Sequence, residues 1–443
     1  MTVAQADIEN GSHDHFYNKS IRSFLWTGVT VKVKDRHSKQ HKPILSNVDG
    51  MIREGELMAV MGPSGSGKST LLHALAQRSR FPTTSAEGLL YLNGVPVDTR
   101  HFRRVSAYVE QEDALIGSLT VGETLDFAAR LSTPSASKAE RLTRIDRLLA
   151  DFGLSGVRDN LIGTAMKKGV SGGQKRRVSV AAQLVTGPRL LFLDEPTSGL
   201  DSAAAFEVIS VLKSVAQKYR LIIIASIHQP ATSTFMMCDR LLLLCQGHTA
   251  YNGPVDGVAG HFLARGLPIP EMMNPAELRW TSSTPTLRQA RGGGTAAREV
   301  ASSWYLSEQK RAADGELSDE LICSSMGVEV IVDAAYASTP SAMTRTATLV
   351  HRSFLKSYRD VVVYGIRVAM YLGLALLMGT VWLQLEPSQG NIPAFVSAIF
   401  LAAPSCPSWP WLTFQPSWKT LTLFESSAPT HFTGRAHFSW RTS

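Results

Sequence analysis

Short apolar runs alternate with segments of helical spacing from Trp26 to about Pro254. Two of the runs, Leu190–Leu193 and Leu221–Ala225, are uninterrupted, which is typical of parallel strands that are covered on both faces. This alternation favours an α/β domain built around a mainly parallel sheet. The other predicted strands are Val29–Val33 and Glu56–Met61, and the predicted helices are Thr143–Phe152 and Ser202–Lys218.

The periodicity weakens after about Asn274 and returns as one long apolar run near the C-terminal end. Thr281–Thr295 contains a glycine triplet and no sustained period, so it is interpreted as a linker. Val368–Leu385 is uncharged and 18 residues long, about the minimum that crosses a bilayer core of about 30 Å. Basic residues flank it on one side only, which favours a transmembrane helix with a cytosolic N-terminal side over a buried core helix. These basic residues are His351, Arg352, Lys356, Arg359 and Arg367.

Composition narrows the class of protein. The 443 residues are 44% hydrophobic and 19% charged, which suits folded domains and excludes wholesale disorder. A net charge of +8 is too small to indicate a nucleic-acid-binding protein, so no nucleic-acid partner is expected. The four cysteines form no C-x-x-C pair, and no secretory signal opens the chain. A cytosolic location is therefore predicted for most of the chain.

Residues 1–20 are polar and are predicted to form a loose tail. His13 and His15 flank Asp14 there and could together bind a metal ion. A solvated terminus is the favoured interpretation of this short segment.

A glycine-rich segment follows the predicted strand that ends at Met61, and it has the spacing of a phosphate-binding loop, G-x-x-x-x-G-K-[ST]. Its glycines allow backbone amides to turn toward phosphate oxygens, and the helix that follows adds a partial positive charge at its N-terminus. Lys68 would bring a charge to the β- and γ-phosphates of ATP, and the Ser69 hydroxyl can ligate Mg²⁺. The residues assigned to ATP binding here are Gly62, Pro63, Ser64, Gly65, Ser66, Gly67, Lys68, Ser69 and Thr70.

The apolar strand Leu190–Leu193 is followed by two carboxylates, Asp194 and Glu195. The first can reach the magnesium ion of a bound nucleotide, and the second is placed to orient or deprotonate an attacking water. The alternative, a strand-ending Asp-Glu-Pro turn, explains the segment equally well by itself but not beside a phosphate-binding loop.

Val170–Arg177, with the sequence V-S-G-G-Q-K-R-R, places three cations in the first turn of a predicted helix, where they oppose the helix dipole. An anion bound near the helix N-terminus would relieve this conflict, with Ser171 capping the helix and the glycines exposing its amides. A basic surface patch is the alternative. The string resembles the signature motif of ATP-binding-cassette (ABC) proteins.

The resemblance to ABC proteins implies roles for further residues along the chain. Gln111 resembles the Q-loop glutamine, which approaches the metal ion and relays to the membrane domain, and His228 resembles the switch histidine that contacts the γ-phosphate. Asp201, in S-G-L-D, resembles the aspartate of the loop that crosses between paired domains. The implied catalytic residues are Glu195, His228 and Gln111; the implied metal ligands are Ser69, Gln111 and Asp194; and Ser171, Gly172, Gly173, Gln174 and Asp201 join the residues that contact ATP.

Several motifs are similar to those of the G subfamily, the white/brown half-transporters, in a fungal-type form. They are V-S-G-G-Q-K-R-R, E-P-T-S-G-L-D, S-I-H-Q-P and Y-N-G-P. The resemblance implies a P-loop ABC nucleotide-binding domain with a mainly parallel sheet, an antiparallel β subdomain and a helical subdomain, followed by an α-helical membrane domain. The implied division is a tail at 1–20, a nucleotide-binding domain at 21–275, a linker at 276–345, a connecting helix and first transmembrane helix at 346–386, and an irregular tail at 387–443.

Two parts of the chain depart from the family pattern. After Leu385 the pattern needs five more helices, whereas 58 residues remain, rich in proline and tryptophan and without a period. A half-transporter that is truncated after its first transmembrane helix is therefore expected. The residue that contacts adenine is unassigned, because neither Val33 nor Lys34 can stack as an aromatic ring does. Phe24 and Trp26 are expected to pack in the core instead.

The sequence thus predicts an ATP-hydrolysing exporter subunit that works as a homodimer, or as a heterodimer with another half-transporter. The implied partners are the lipid bilayer and a lipophilic small molecule, with ATP and Mg²⁺ as cofactors and the nucleotide-binding domain in the cytosol. An alternative from the class of binding proteins is a membrane-tethered fragment that binds ATP and pairs with a full-length subunit without transporting. A soluble ABC ATPase of the translation or DNA-repair type is disfavoured, because it would need two cassettes or a coiled-coil insertion.

Overall fold

A computed structural model of the chain describes residues 15–34, 41–78, 84–132, 136–164, 167–264, 304–324, 340–359, 361–383 and 388–397. The predicted linker Thr281–Thr295 and the tail beyond residue 397 lie outside these ranges. The strands are β1 (Ser23–Lys34), β2 (His41–Arg53), β3 (Leu57–Met61), β4 (Thr84–Leu92), β5 (Val95–Pro96), β6 (Ser106–Val109), β7 (Leu190–Leu193), β8 (Ile222–Ser226), β9 (Arg240–Cys245) and β10 (His248–Pro254). The helices are α1 (Lys68–Leu75), α2 (Thr99–Val105), α3 (Val121–Ser132), α4 (Lys138–Asp151), α5 (Gly172–Leu184), α6 (Ser202–Tyr219), α7 (Thr232–Phe235), α8 (Val258–Leu263), α9 (Glu308–Ser324), α10 (Ala342–Arg359) and α11 (Val361–Val381).

Two compact units make up the chain. The first consists of Met1–Asp113, Val121–Asn160 and Val170–Pro340, and the second of Ala114–Thr120, Leu161–Gly169 and Ser341–Ser443. Both sheets belong to the first unit.

The main sheet has the strand order β10-β9-β3-β8-β7-β6. Its inner pairs are parallel, and β10 adds an antiparallel edge to β9. Every residue of β3, β7 and β8 is buried, as expected for central strands that helices cover on both faces. The predicted α/β architecture with a mainly parallel sheet is confirmed, and this order brings the ends of β3, β8, β7 and β6 to one edge.

A second, antiparallel sheet has the order β2-β1-β4-β5. β1 is longer than the predicted strand Val29–Val33 and accommodates its length with irregularities in its register against β2. Phe24 and Trp26 on β1 are completely buried, and the Phe24 ring contacts the rings of Trp26, Phe102 and Phe192. These aromatic residues therefore form core, as expected.

The helical part of the first unit contains α3 and α4. α4 begins at Lys138, before the predicted start at Thr143, because Ser137 and Glu140 form a reciprocal capping box. Its apolar residues Ile145, Leu148 and Leu149 are buried.

The residues before β1 pack against the first unit, although polarity predicted a loose tail through residue 20. Phe16 is buried and meets the Tyr219 ring edge-on, with 5.6 Å between the centroids. The Asn18 amide donates to the Tyr219 carbonyl over 2.9 Å, and its side chain donates to the Arg220 carbonyl over 2.9 Å. The tail prediction is thus wrong for residues 15–20, while His13 lies outside the described residues.

The predicted linker 276–345 contains the ordered segment 304–324, which includes α9. Trp304 is buried, and its ring centroid lies 5.7 Å from that of Tyr251 and 5.4 Å from that of His261. This aromatic cluster attaches the segment to β10 and α8.

In the second unit, the Ile162 amide donates to the Leu119 carbonyl over 2.9 Å, and Arg359 of α10 donates to the Ser118 carbonyl over 3.2 Å. α11 begins before the predicted span Val368–Leu385 and ends at Val381, since a turn follows at Trp382. Among the described residues, no helix combines the length and apolar character needed to cross a membrane. The transmembrane helix predicted from the sequence is therefore not found in the part of the chain that the structure describes.

Candidate nucleotide-binding site

The phosphate-binding loop leaves the buried strand β3 and enters α1, as predicted. Gly62, Gly65 and Gly67 all have positive φ angles, of 147°, 79° and 101°. A Cβ on Gly62 would lie 2.2 Å from the Leu244 carbonyl oxygen, and one on Gly67 would lie 2.6 Å from a methyl group of Leu45. Both positions therefore require glycine for space as well as for conformation.

Lys68, the first residue of α1, turns its ammonium group into this loop. Its Nζ donates to the carbonyl oxygens of Gly62 over 2.9 Å and of Pro63 over 3.2 Å. Burial lowers the pKa of Lys68, and the negative charges of Glu195 and Asp194 oppose that shift. Of the other loop residues, Ser66 is buried and Ser64 is exposed.

Asp194 follows β7 and is buried among three hydroxyl donors. Its Oδ1 accepts hydrogen bonds from Ser69 over 2.9 Å and from Ser226 over 2.8 Å, and its Oδ2 accepts one from Tyr108 over 3.2 Å. The Tyr108 ring is itself stacked on His73, with 4.9 Å between the centroids. Ser226 is the first residue of the S-I-H-Q-P motif and Tyr108 lies three residues before Gln111, but neither was predicted to have a role in the site.

Glu195 adopts a left-handed conformation, with φ of 45°, which is uncommon outside glycine. Its amide donates to the Ser226 hydroxyl over 2.8 Å, and its carboxylate accepts a hydrogen bond from the Gln111 side-chain amide over 2.7 Å. Contacts of this kind hold a strained residue in place. Two of the three residues predicted to be catalytic, Glu195 and Gln111, are therefore in direct contact.

The predicted metal ligands are brought together only in part. Ser69 and Asp194 touch through oxygen atoms, which are the donors that Mg²⁺ prefers, and one or two protein ligands suffice when substrate phosphates complete the shell. Gln111 instead uses its amide nitrogen on Glu195. Within the described ranges, no group of three or more His, Cys, Asp or Glu side chains could hold a metal ion. A magnesium ion at this site would therefore need oxygen ligands from the nucleotide phosphates. The residues present thus fit a magnesium ion that arrives with a nucleotide.

The signature segment forms the N-terminus of α5. Ser171 and Gln174 make a reciprocal capping box, which confirms the predicted cap at Ser171. Two of the three cations are satisfied by acceptors of the chain itself, so no bound anion is needed to relieve the charge conflict at these two residues. Arg177 donates to the Phe152 carbonyl over 2.9 Å and pairs with Glu207, while Arg176 is buried among acceptors of its own chain.

The remaining predicted residues lie in neighbouring turns. Asp201 caps α6 by accepting from the Ala204 amide over 2.7 Å, and a Cβ on Gly173 would lie 3.3 Å from Ala204. His228 follows β8 and is exposed. Gly172 is exposed as well, whereas Gly173 is buried.

A glycine loop between a buried strand and a helix, followed by two carboxylates after a nearby parallel strand, is the arrangement of a P-loop nucleotide-binding domain. The capped signature segment at the start of α5 makes it an ABC-type ATPase domain. The family model described as ABC transporter matches residues 45–198. A second model, described as ABC-2 type transporter, matches residues 228–309, which run from His228 through β9 and β10 into α9.

Curated relatives specify the family further. The chain is 37% identical to ABC transporter G family member 11 of Arabidopsis thaliana, in an alignment that covers 87% of this chain and 55% of that protein. It is 43% identical to ABC transporter G family member 1 of Dictyostelium discoideum over 56% of this chain and 31% of that protein. The chain belongs to the G family of ABC transporters, and it spans about half the length of curated relatives such as the Arabidopsis protein. The fungal-type assignment stays a prediction.

The chain is also similar to a solved structure. The cbiO1 protein of Clostridium perfringens, described as part of an ABC transporter complex, is 24% identical, with a TM-score of 0.45. The match covers 54% of this chain and 91% of that one.

Proposed function

We propose that the first unit binds and hydrolyses ATP as the motor of a G-family half-transporter. The observation that carries the proposal is the set of hydrogen bonds that joins Ser69, Asp194 and Glu195 through Ser226. These bonds connect the phosphate-binding loop to the residue suited to act on water.

Each part of the site has a chemical task in this proposal. The loop amides and Lys68 would neutralise the phosphate charge, and Ser69 and Asp194 would hold a magnesium ion, which adds charge neutralisation when it is bound. Glu195 would orient the attacking water and take its proton, while the hydrogen bond from Gln111 holds the Glu195 carboxylate in place.

We further propose that two nucleotide-binding units pair, with the signature segment of each facing the phosphate-binding loop of the other. Support comes from the exposure of Ser171, Gly172 and Asp201, which leaves these motif residues open to a partner. The partner would be a second copy of this chain or another half-transporter.

Membrane association and export of a lipophilic molecule complete the proposal. The match to a model of ABC-2 type transporters supports a membrane role. Exposed apolar side chains on α11 suit contact with lipid or with other membrane helices; these include Ile366, Val368, Met370, Leu372 and Leu376.

The test of hydrolysis uses the full chain and the variant Glu195→Gln. A glutamine keeps the shape of the side chain but cannot take a proton from water, so the ATPase rate should fall by about 10²- to 10⁴-fold. Binding of a fluorescent ATP analogue should persist in this variant and weaken in Lys68→Ala. Glu87→Gln, which changes an exposed carboxylate on β4, is the matched control. A wild-type rate in Glu195→Gln would refute the assignment.

Pairing can be tested by cross-linking between exposed positions. A chain carrying Ser64→Cys and a chain carrying Ser171→Cys should form a disulfide when ATP is added in the Glu195→Gln background. The combination of Glu87→Cys with Ser171→Cys should not. Equal cross-linking of both combinations would exclude the proposed arrangement. Uptake of a lipophilic dye into vesicles that contain the chain would then test transport itself.

A further inference from the structure

Arg176 of α5 is buried in the ATPase unit, but none of the roles predicted from the motifs includes it. Its side chain is 5% exposed, and one carboxylate, that of Asp113, pairs with it over 3.0 Å. A guanidinium group carries five N–H donors in a rigid planar fork, so burial at this depth requires many acceptors.

Backbone carbonyl oxygens supply the other acceptors, and they come from two loops. After β6, the carbonyls of Glu110 and Gln111 accept hydrogen bonds from Nη1 over 2.8 and 3.2 Å. After β7, the carbonyls of Asp194 and Glu195 accept from Nη2 over 2.8 and 3.0 Å. The Pro196 carbonyl accepts from Nε over 3.2 Å.

Three consecutive carbonyls after β7 therefore converge on one cation. Backbone dipoles that point at one place repel one another unless a positive group lies between them. The middle residue of the three is Glu195, whose left-handed φ of 45° already costs conformational energy. The guanidinium group compensates for the repulsion between the carbonyl dipoles and for the conformational energy of Glu195.

The same cation connects the two loops that carry the reacting side chains. Gln111 and Glu195 are joined by a side-chain hydrogen bond of 2.7 Å, and their backbones share Arg176. We infer that Arg176 is a positioning residue, which holds the Gln111 loop and the Glu195 loop in the register that aligns the catalytic carboxylate. This inference rests on the proposed ATPase function.

A lysine cannot replace this arginine. Its ammonium group is a compact point charge with three donors, and it cannot reach acceptors on both sides of a planar fork. Arg176→Lys therefore keeps the charge and loses the geometry. Because Lys68 and Ser69 have no hydrogen bond to Arg176 among the described contacts, nucleotide binding should change less than about threefold, whereas kcat should fall about 10- to 100-fold.

The neighbouring arginine provides the matched control. Arg177 is also buried and also donates to a carbonyl, but that carbonyl belongs to Phe152 at the end of α4. Arg177→Lys should lower thermal stability about as much as Arg176→Lys without the selective loss of kcat. If both variants lower kcat equally, the role of Arg176 is merely structural.

A double variant tests whether Arg176 acts through Glu195. In the Glu195→Gln background, adding Arg176→Lys should lower the residual rate by less than about twofold, because the group that it positions is already gone. A full multiplicative loss would overturn the inference. Should Arg176→Lys fail to fold, Asp113→Asn weakens the same cluster from a part-exposed position and should show the same selective loss of kcat in milder form.

Amide hydrogen exchange separates this inference from the proposed function, since it needs no turnover. Arg176→Lys should speed exchange in peptides that cover residues 110–113 and 194–198, and Arg177→Lys should not. Unchanged exchange in these peptides overturns the inference even if the wild-type chain hydrolyses ATP. A wild-type chain without ATPase activity refutes the proposed function, while the exchange result still decides whether Arg176 holds the loops.

Discussion

Ser226 donates a hydrogen bond to Asp194 over 2.8 Å, and the same hydroxyl oxygen accepts one from the Glu195 amide over 2.8 Å. Because the amide occupies a lone pair, the hydroxyl hydrogen is directed at the carboxylate. One buried side chain at the end of β8 thus orients both acidic residues that follow β7.

Replacing this hydroxyl should affect both stability and chemistry. In Ser226→Ala, the Glu195 amide loses its acceptor and the buried Asp194 carboxylate loses one of its three hydroxyl donors, which should cost about 1–3 kcal/mol in the free energy of unfolding. The ATPase kcat should also fall, because the backbone of Glu195 loses an anchor. Urea denaturation and steady-state kinetics measure the two effects.

Ser132→Ala is the control for that substitution, because the Ser132 hydroxyl bonds only to carbonyls of its own helix among the described contacts. It should leave both quantities close to the wild-type values. If Ser226→Ala behaves in the same way, Ser226 has no part in arranging the carboxylates.

Gly67→Ala should damage the phosphate-binding loop. Gly67 combines a φ of 101° with a Cβ position only 2.6 Å from Leu45, so alanine would be both strained and crowded. We expect a loss of about 1–3 kcal/mol in unfolding free energy, together with weaker ATP binding.

Gly156→Ala adds the same methyl group where no atom lies within 4 Å and φ is not positive. It should change the unfolding free energy by less than about 0.5 kcal/mol. Parallel urea titrations of Gly67→Ala and Gly156→Ala would measure the loss in unfolding free energy for each variant. Equal losses would exclude the geometry of the phosphate-binding loop as the cause of the destabilisation.

His15 should make the protein less stable in mild acid. Burial, and then the charges of Arg144 and Arg189, lower the pKa of His15 from 6.5 to about 4. The unfolded chain therefore binds this proton at a higher pH than the folded chain does. The contribution of His15 to stability is complete above pH 6.5 and is lost as the pH falls toward 4, by up to about 3 kcal/mol.

His15→Gln removes this titration and serves as the comparison. Urea denaturation at pH 7 and pH 5 should show a larger drop in the free energy of unfolding for the wild type than for the variant. Carboxylates that titrate in the same range affect both proteins equally, so their effect cancels in this comparison. Identical drops would show that His15 is not buried in solution.

The local motifs could be predicted from the sequence because each one is contiguous. The phosphate-binding loop needs only the order of its glycines, Lys68 and Ser69, and the acidic pair needs only an apolar strand before it. Capping by Ser171 was predictable for the same reason, since a cap involves residues three positions apart.

The contacts of Tyr108, Ser226 and Arg176 could not be predicted in this way. They arise because β6, β7 and β8 are neighbours in the sheet, and the order of parallel strands is not written in any one segment. The N-terminal residues are a different case. Polarity suggested a tail, but Phe16 and Ile21 are apolar anchors that could have indicated packing.

The ammonium group of Lys68 is hydrogen-bonded by the loop's own carbonyls, those of Gly62 and Pro63. A phosphate that contacts it must therefore exchange partners with the loop instead of adding a bond to an unsatisfied cation. These two bonds close the loop on its own lysine, so the folded chain itself specifies the loop conformation and little conformational entropy is lost in ordering the loop around a nucleotide. Nucleotide binding to this unit should accordingly show a small heat-capacity change, as expected for a rigid polar receptor and not for a segment that folds around its ligand.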